Sequence, residues 1–347
     1  MTRIAITMGD LTGVGPEVIV KALSLGLNRV GVSFLIVGDS QVMSEAVRRY
    51  GSSALKKLWS RSPQTKSWKE VGAFDTQISM LVRSAFSFSK LVPGQPGAAE
   101  GKAMADYLTS AFDLVRTGIC QALVTAPVSK AALKAAGFAY PGHTDWLAKR
   151  TGSRAVMMLV TDKLRVVPAT VHIPLAAVPS ALSLDLLLDT IKVVDRDLRN
   201  KFGIKSPRIA LAGLNPHAGE GGMLGREEQK LISPAINTMR SQGVCAEGPF
   251  PADTLFIPEN RKKYDAMICM YHDQALIAIK TVGFRRAVNV TLGLPLIRTS
   301  PAHGTGPEIA WQGKADPLSM SAAIALAVKL ARSEAGSKKI GPKKGSR

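Results

Sequence analysis

Short apolar runs alternate with longer segments of helical period from the start of the chain: RIAITM, then PEVIVKALSLG, then SFLIVG, then DSQVMSEAVRRY. Runs of β-branched and apolar residues bounded by turn residues predict strands, and apolar positions three and four apart predict helices. On that reading further strands fall at 122–126, 155–160, 164–171, 208–214, 265–271 and 287–292, and long helices near 98–118, 184–202, 224–242 and 317–333. Several strand segments are apolar at nearly every position, as in strands covered by helices on both faces, so the fold class is α/β. The strands are too many for one small sheet, which predicts two domains with the last helix returning to the first. No internal repeat is present.

Composition narrows this. A chain of 347 residues, 46% hydrophobic and 20% charged, can bury a large core, and no run approaches the ~18 apolar residues of a membrane span. The N-terminal apolar stretch reaches Asp10 too soon for a signal-peptide core. Cys120, Cys245 and Cys269 are widely spaced with no C-x-x-C pair, which reads as reduced thiols in a cytoplasmic protein. The net charge of +19 suggests an anionic partner. Yet 12 of the 45 basic residues lie in two stretches, from Arg48 to Lys69 and from Lys338 to Arg347. The first, around SSALKKLWSRSPQTKSWKE, reads as a surface excursion; the second is a tail with almost nothing to bury and is expected to be disordered. Neither shows the aromatic interleaving or helix-turn-helix pattern of a specific nucleic-acid binder.

Histidine placement carries more information. Only five occur, in PGHTD (His143), TVHIP (His172), NPHAGEGG (His217), MYHDQ (His272) and AHGTG (His303). His172, His217 and His272 each come at or just after the end of an apolar strand. Carboxyl ends of strands face the ligand crevice in α/β proteins, so three imidazoles from three strand ends can converge as a divalent-metal site with an open position. Such a donor set admits zinc, magnesium or cobalt. Lys280, Asn289 and Arg298, spaced nine residues apart, offer cation and amide donors to a phosphate or carboxylate. Asp253 and Asp273 are carboxylates near the expected metal, suited to moving a proton or tuning a ligand.

Two glycine-rich segments, MGDLTGVGPEV and HGTGPEIAWQGKADP, match neither the dinucleotide fingerprint nor the Walker loop. A nucleotide therefore binds by another route, if at all.

At these residues the chain resembles the 4-hydroxythreonine-4-phosphate dehydrogenases of vitamin B6 biosynthesis. The likeness runs through VTAPVSK, YPGHTD, VHIPL, GLNPHAGEGG, GREE, PADT, YDAMICMYHDQALI, VNVTLGLP and IRTSPAHGT, over about residues 1–330. The segment from His303 is also similar to the adenosine-binding loop of isopropylmalate and isocitrate dehydrogenases. The resemblance implies two α/β/α domains with a cleft between them. Residues 1–135 and 295–335 would form the domain with the nucleotide loop, and 136–294 the domain with metal ligands and dimer contacts. It implies His172, His217 and His272 as metal ligands drawn from both subunits of a homodimer. His143, Thr144, Lys280, Asn289 and Arg298 would bind substrate, with Asp253, Asp273 and Lys280 as candidates for proton transfer. His303, Gly304, Thr305 and Glu308 would contact NAD or NADP.

The implied reaction oxidises the C3 hydroxyl of 4-phosphooxy-L-threonine to 2-amino-3-oxo-4-phosphooxybutanoate, which decarboxylates to 3-amino-2-oxopropyl phosphate. Relatives acting on a four-carbon sugar-acid phosphate or an aromatic cis-dihydrodiol form the alternative, and a noncatalytic polyanion binder the distant one. The chain departs from the family pattern at Ala302, usually acidic, and at Gly306, Glu308 and Trp311, usually Ala, Asp and Gly. Leu11-Thr12 replaces Pro-Ala, and Asp145-Trp146 replaces Glu-Phe. The first group bears on the coenzyme, and the Leu11-Thr12 and Asp145-Trp146 changes bear on substrate shape.

Overall fold

The structure is a computed structural model that describes residues 1–26, 30–140 and 142–339, the last six by backbone alone. It divides into two compact units, one of Met1–Ser153 with Leu294–Arg332 and one built on Arg154–Gly293. Among the described residues the strands are β1 (Thr2–Thr7), β2 (Val32–Asp39), β3 (Gln64–Thr65), β4 (Ile78–Ser84), β5 (Ala122–Thr125), β6 (Val156–Thr161), β7 (Leu164–Pro168), β8 (Arg208–Ala212), β9 (Cys245–Phe250), β10 (Ala266–Cys269), β11 (Val288–Leu292) and β12 (Arg298–Pro301).

In the first unit the strands lie in the order β3-β4-β2-β1-β5-β12, every pair parallel. β2 is buried at all of its positions, which is why its sequence is apolar without alternation. Its last residue, Asp39, turns the chain into helix Ser40–Tyr50 by accepting a bond from Val42 N at 3.0 Å. The stretch read as a surface excursion is better ordered than its composition suggests. It holds helix Ser53–Trp59 and edge strand β3, and it buries Leu55 and Trp59, whose indole donates to Ser44 Oγ at 3.1 Å. Amphipathic anchoring by two side chains outweighs the Ser and Lys between them.

Helix His143–Thr151 belongs to the first unit, whereas the sequence reading assigns it to the second. Trp146 explains the attachment: it is buried and meets Phe112 of helix Ala98–Arg116 edge-on, ring centroids 5.4 Å apart. The last helix, Leu318–Lys339, runs into the stretch read as a disordered tail; residues 340–347 of that tail lie outside the described residues.

The second unit has the order β11-β6-β7-β10-β8-β9. β6 runs antiparallel to β7 and β11, while β7, β10, β8 and β9 are mutually parallel. Three of these neighbours, β7, β10 and β8, are therefore aligned with their carboxyl ends on one edge. The chain leaves this unit at Gly293, where φ is 87° and a Cβ would lie 1.9 Å from the Arg154 carbonyl, so only glycine fits.

Candidate functional site

The parallel register places His172 after β7, His217 after β8 and His272 after β10. Backbone bonds tie two of these ends together: Ala169 N donates to Cys269 O at 2.8 Å, and Thr170 Oγ1 to Met270 O at 2.8 Å. In consequence the rings of His172 and His272 sit side by side, centroids 5.5 Å apart. They line a cavity of about 190 Å³ with Thr170, Tyr271 and Asp273. Asp273 Oδ1 is 2.7 Å from His272 Nδ1, an arrangement that orients the ring and, with Nδ1–H donating to the carboxylate, leaves the Nε2 lone pair for a metal. His172 holds its place with φ at 53°, a left-handed conformation uncommon for a residue with a side chain.

His217 does not join that pair. It lies on a left-handed loop in which residues 217–222 all have positive φ, its side chain is 71% exposed, and its nearest acidic neighbour is Glu220 at 3.6 Å. Among the described residues no three His, Cys, Asp or Glu side chains stand together as a metal site. Two imidazoles, one oriented by a carboxylate and both lining a cavity, nonetheless suit a divalent cation.

The loop bearing His217 depends on a residue to which the sequence assigns no role. Glu228 is buried and accepts bonds from Leu214 N and Asn215 N, both at 2.8 Å, and from Asn215 Nδ2 at 2.9 Å. The loop folds tightly over it: a Cβ at Gly219, where φ is 83°, would lie 2.6 Å from Glu228 Oε2. Gln274 adds a second tie, accepting from Met270 N at 2.7 Å and donating to Gly213 O at 2.9 Å. In sequence Glu228 appears only within the GREE segment of the family likeness, with no role attached to it.

Substrate candidates fall in both units. In the first, His143 and Arg298 are buried, and Arg298 donates to Thr125 Oγ1 at 2.7 Å. Burial pushes the guanidinium down to about 10, so it stays charged at neutral pH. Burial, and then the Arg298 cation, push the His143 imidazole down to about 3, so it is neutral there. Thr144 is half-buried on the same helix. Trp146 faces Phe112, so its replacement of Phe fills core. In the second unit Asn289 lies on β11 with a buried Oδ1 that has no protein partner. Lys280, on helix His272–Gly283, and Asp253, on the short helix Ala252–Leu255, are exposed.

The segment from His303 is tied to its own unit. Thr305 O accepts from Val14 N at 2.9 Å, and buried Glu17 accepts from Gly313 N at 3.2 Å and Ala315 N at 2.9 Å. In the same segment His303 Nε2 is buried without a partner, Gly304 has open space where a Cβ would stand, and Glu308 is exposed. A bound nucleotide would give that ring nitrogen a partner. Asp10, buried beneath the first glycine-rich turn, is raised above the usual carboxylate range by that burial, against bonds from Thr12 that lower it.

A family model described as pyridoxal phosphate biosynthetic protein PdxA matches residues 31–327. The 4-hydroxythreonine-4-phosphate dehydrogenase of Desulforapulum autotrophicum is 45% identical over 325 residues, covering 93% of this chain and 94% of that protein. The crystal structure of the enzyme of that name from Klebsiella pneumoniae superposes with a TM-score of 0.81 at 38% identity, covering 95% of this chain and 98% of that one. A terephthalate 1,2-cis-dihydrodiol dehydrogenase from Burkholderia xenovorans is more distant, with a TM-score of 0.64 at 28% identity, covering 94% of this chain and 98% of that one. Isocitrate dehydrogenase from Methylococcus capsulatus shares the fold alone, with a TM-score of 0.50 at 12% identity, covering 98% of this chain and 88% of that one.

Proposed function

The chain belongs to the PdxA family of pyridoxal phosphate biosynthetic proteins, and from that premise we propose that it oxidises 4-phosphooxy-L-threonine at C3 with NAD or NADP, the product then losing carbon dioxide. The observation that carries this reading is the His172 and His272 pair at the ends of adjacent parallel strands, with Asp273 on the inner nitrogen. A bound divalent cation would lower the pKa of the substrate hydroxyl and polarise the ketone before decarboxylation. His172 and His272 of one subunit and His217 of another would hold it, in a homodimer. Exposed apolar side chains flank each of these histidines: Ile173 and Leu175, Met223 and Leu224, Ile277. Among the described residues no helix is long and apolar enough to cross a membrane. Buried Cys120 and Cys269, both free, support the cytoplasm as its compartment.

The side chains divide the remaining work. Arg298, charged and bonded to Thr125 Oγ1, offers a donor to the substrate phosphate or carboxylate, and Lys280 and Asn289 offer donors of the same kind on the other unit. Neutral His143, with Thr144, supplies hydrogen bonds without adding charge. Binding energy from the phosphate, remote from C3, aligns the reacting carbon. Asp273 is committed to His272, so proton transfer falls to Lys280 or Asp253. The loop from His303 through Thr305 to Glu308 holds the coenzyme.

The test is NADH and NADPH formation from 4-phosphooxy-L-threonine, with metal added and then chelated, beside erythronate 4-phosphate and a cis-dihydrodiol. Turnover of the threonine phosphate that stops with chelator is expected. Turnover of a rival substrate alone would move the enzyme to another pathway, and absence of hydride transfer from all three would remove the dehydrogenase reading.

A further inference from the structure

Among the described residues of the first unit, Trp311 is the one non-glycine in the left-handed region, with φ at 62°. The family pattern has glycine there, which takes this conformation without strain. A large side chain persists in it only where its surroundings hold it. Here they do so on every side. The indole is 7% exposed, its Nε1–H donates to Leu11 O at 3.1 Å, and Phe88 meets it edge-on with centroids 4.6 Å apart. Tyr50 Oη donates to the Trp311 carbonyl at 2.6 Å, and the Arg49 guanidinium lies over both rings, 4.8 Å from Phe88 and 5.8 Å from Trp311. The chain therefore carries an anchored residue where the family pattern has glycine, in the same segment as the unpartnered His303 nitrogen and the open space at Gly304. The acceptor is the main-chain carbonyl of Leu11, so the bond depends on the indole at 311 and not on the side chain at 11.

We infer that Trp311 is a positioning residue that fixes the His303–Ala315 loop in its coenzyme-binding shape before the coenzyme arrives, so that binding does not have to order the loop. This rests on the reading of that loop as the coenzyme site. The experiment is Trp311→Gly, a residue that satisfies the backbone, and Trp311→Phe, which keeps a ring but loses the bond to Leu11. Each is measured beside the full-length enzyme for NADH and NADPH binding by nucleotide fluorescence, for steady-state turnover, and for amide exchange over 303–315. Trp311→Gly is expected to weaken coenzyme binding about tenfold, with kcat within about twofold and exchange in the loop of the free protein correspondingly faster; Trp311→Phe should fall between. Unchanged coenzyme affinity and unchanged exchange in Trp311→Gly would overturn the inference. Failure of the unaltered enzyme to bind either nucleotide would overturn the coenzyme reading, and exchange in the free protein would still report separately whether Trp311 orders the loop.

Discussion

The two units hold their candidate ligand groups in opposite ways. In the first, His143 and Arg298 are buried, and the loop from His303 to Ala315 is tied to its own unit at Thr305, Trp311, Gly313 and Ala315. In the second, His172 and His217 are exposed on left-handed turns, and His217 stands apart from the pair that it is expected to join. A buried group has its geometry settled by the fold around it, and its cost is desolvation. An exposed group on a strained turn is settled by what meets it from outside. The contrast teaches that the segment from His303 to Ala315 is settled by its own unit, whereas the proposed metal site on the second unit is not assembled by the fold of that unit alone.

Mixing variants breaks that contrast most directly. His217→Ala and His272→Ala should each lower kcat/KM by more than about 10³ if each removes a metal ligand, as proposed. If His217 serves the partner's site, unfolding and refolding an equal mixture of the two inactive proteins restores about a quarter of normal activity, because half the dimers are mixed and each has one intact site. Activity that stays at the residual level of the two parents would place all three histidines in one subunit.

Glu228→Ala comes next. It leaves the amides of Leu214 and Asn215 without an acceptor under the His217 loop, so zinc or cobalt affinity should fall about 10- to 100-fold while helix content by circular dichroism is kept. Glu228→Gln, which retains one acceptor oxygen, should recover most of the loss. Equal metal affinity in all three proteins would show that the loop needs no such support.

Much of this was legible in sequence. The eight strand segments read from apolar runs are all strands, because in a sheet covered on both faces burial and apolarity coincide. β12 was missed for the opposite reason: Arg298, Thr299 and Ser300 are buried polar residues, held by the site and not by hydrophobic patterning. β3 is two residues long and β9 carries Gly248 and Pro249, so neither has a period to read. At the site, the order of β7, β10 and β8 made the placement of three histidines at strand ends a sound expectation. Loop hand was not legible, since nothing in NPHAGEGG announces that non-glycine residues take positive φ there. Glu228 was invisible for a related reason, because a buried carboxylate is recognised by the amides around it, which belong to another segment.

The smallest effect tests the buried side of the comparison. His143 is depressed from its ordinary value to about 3, first by burial and then by Arg298. Between about pH 3 and pH 6.5 the unfolded chain therefore binds a proton that the folded chain does not, so stability at this residue is intact at neutral pH and falls as the solution is acidified through 6.5. The slope for one such group is at most about 1.4 kcal/mol per pH unit. Urea denaturation at pH 7 and pH 5 should show the unaltered protein losing roughly 2 kcal/mol more than His143→Gln over that interval. His143→Gln cannot titrate there, so parallel losses in the two proteins would mean that His143 takes up its proton in the folded state as readily as in the unfolded one, and that the first unit's interior is more open to water than its packing implies.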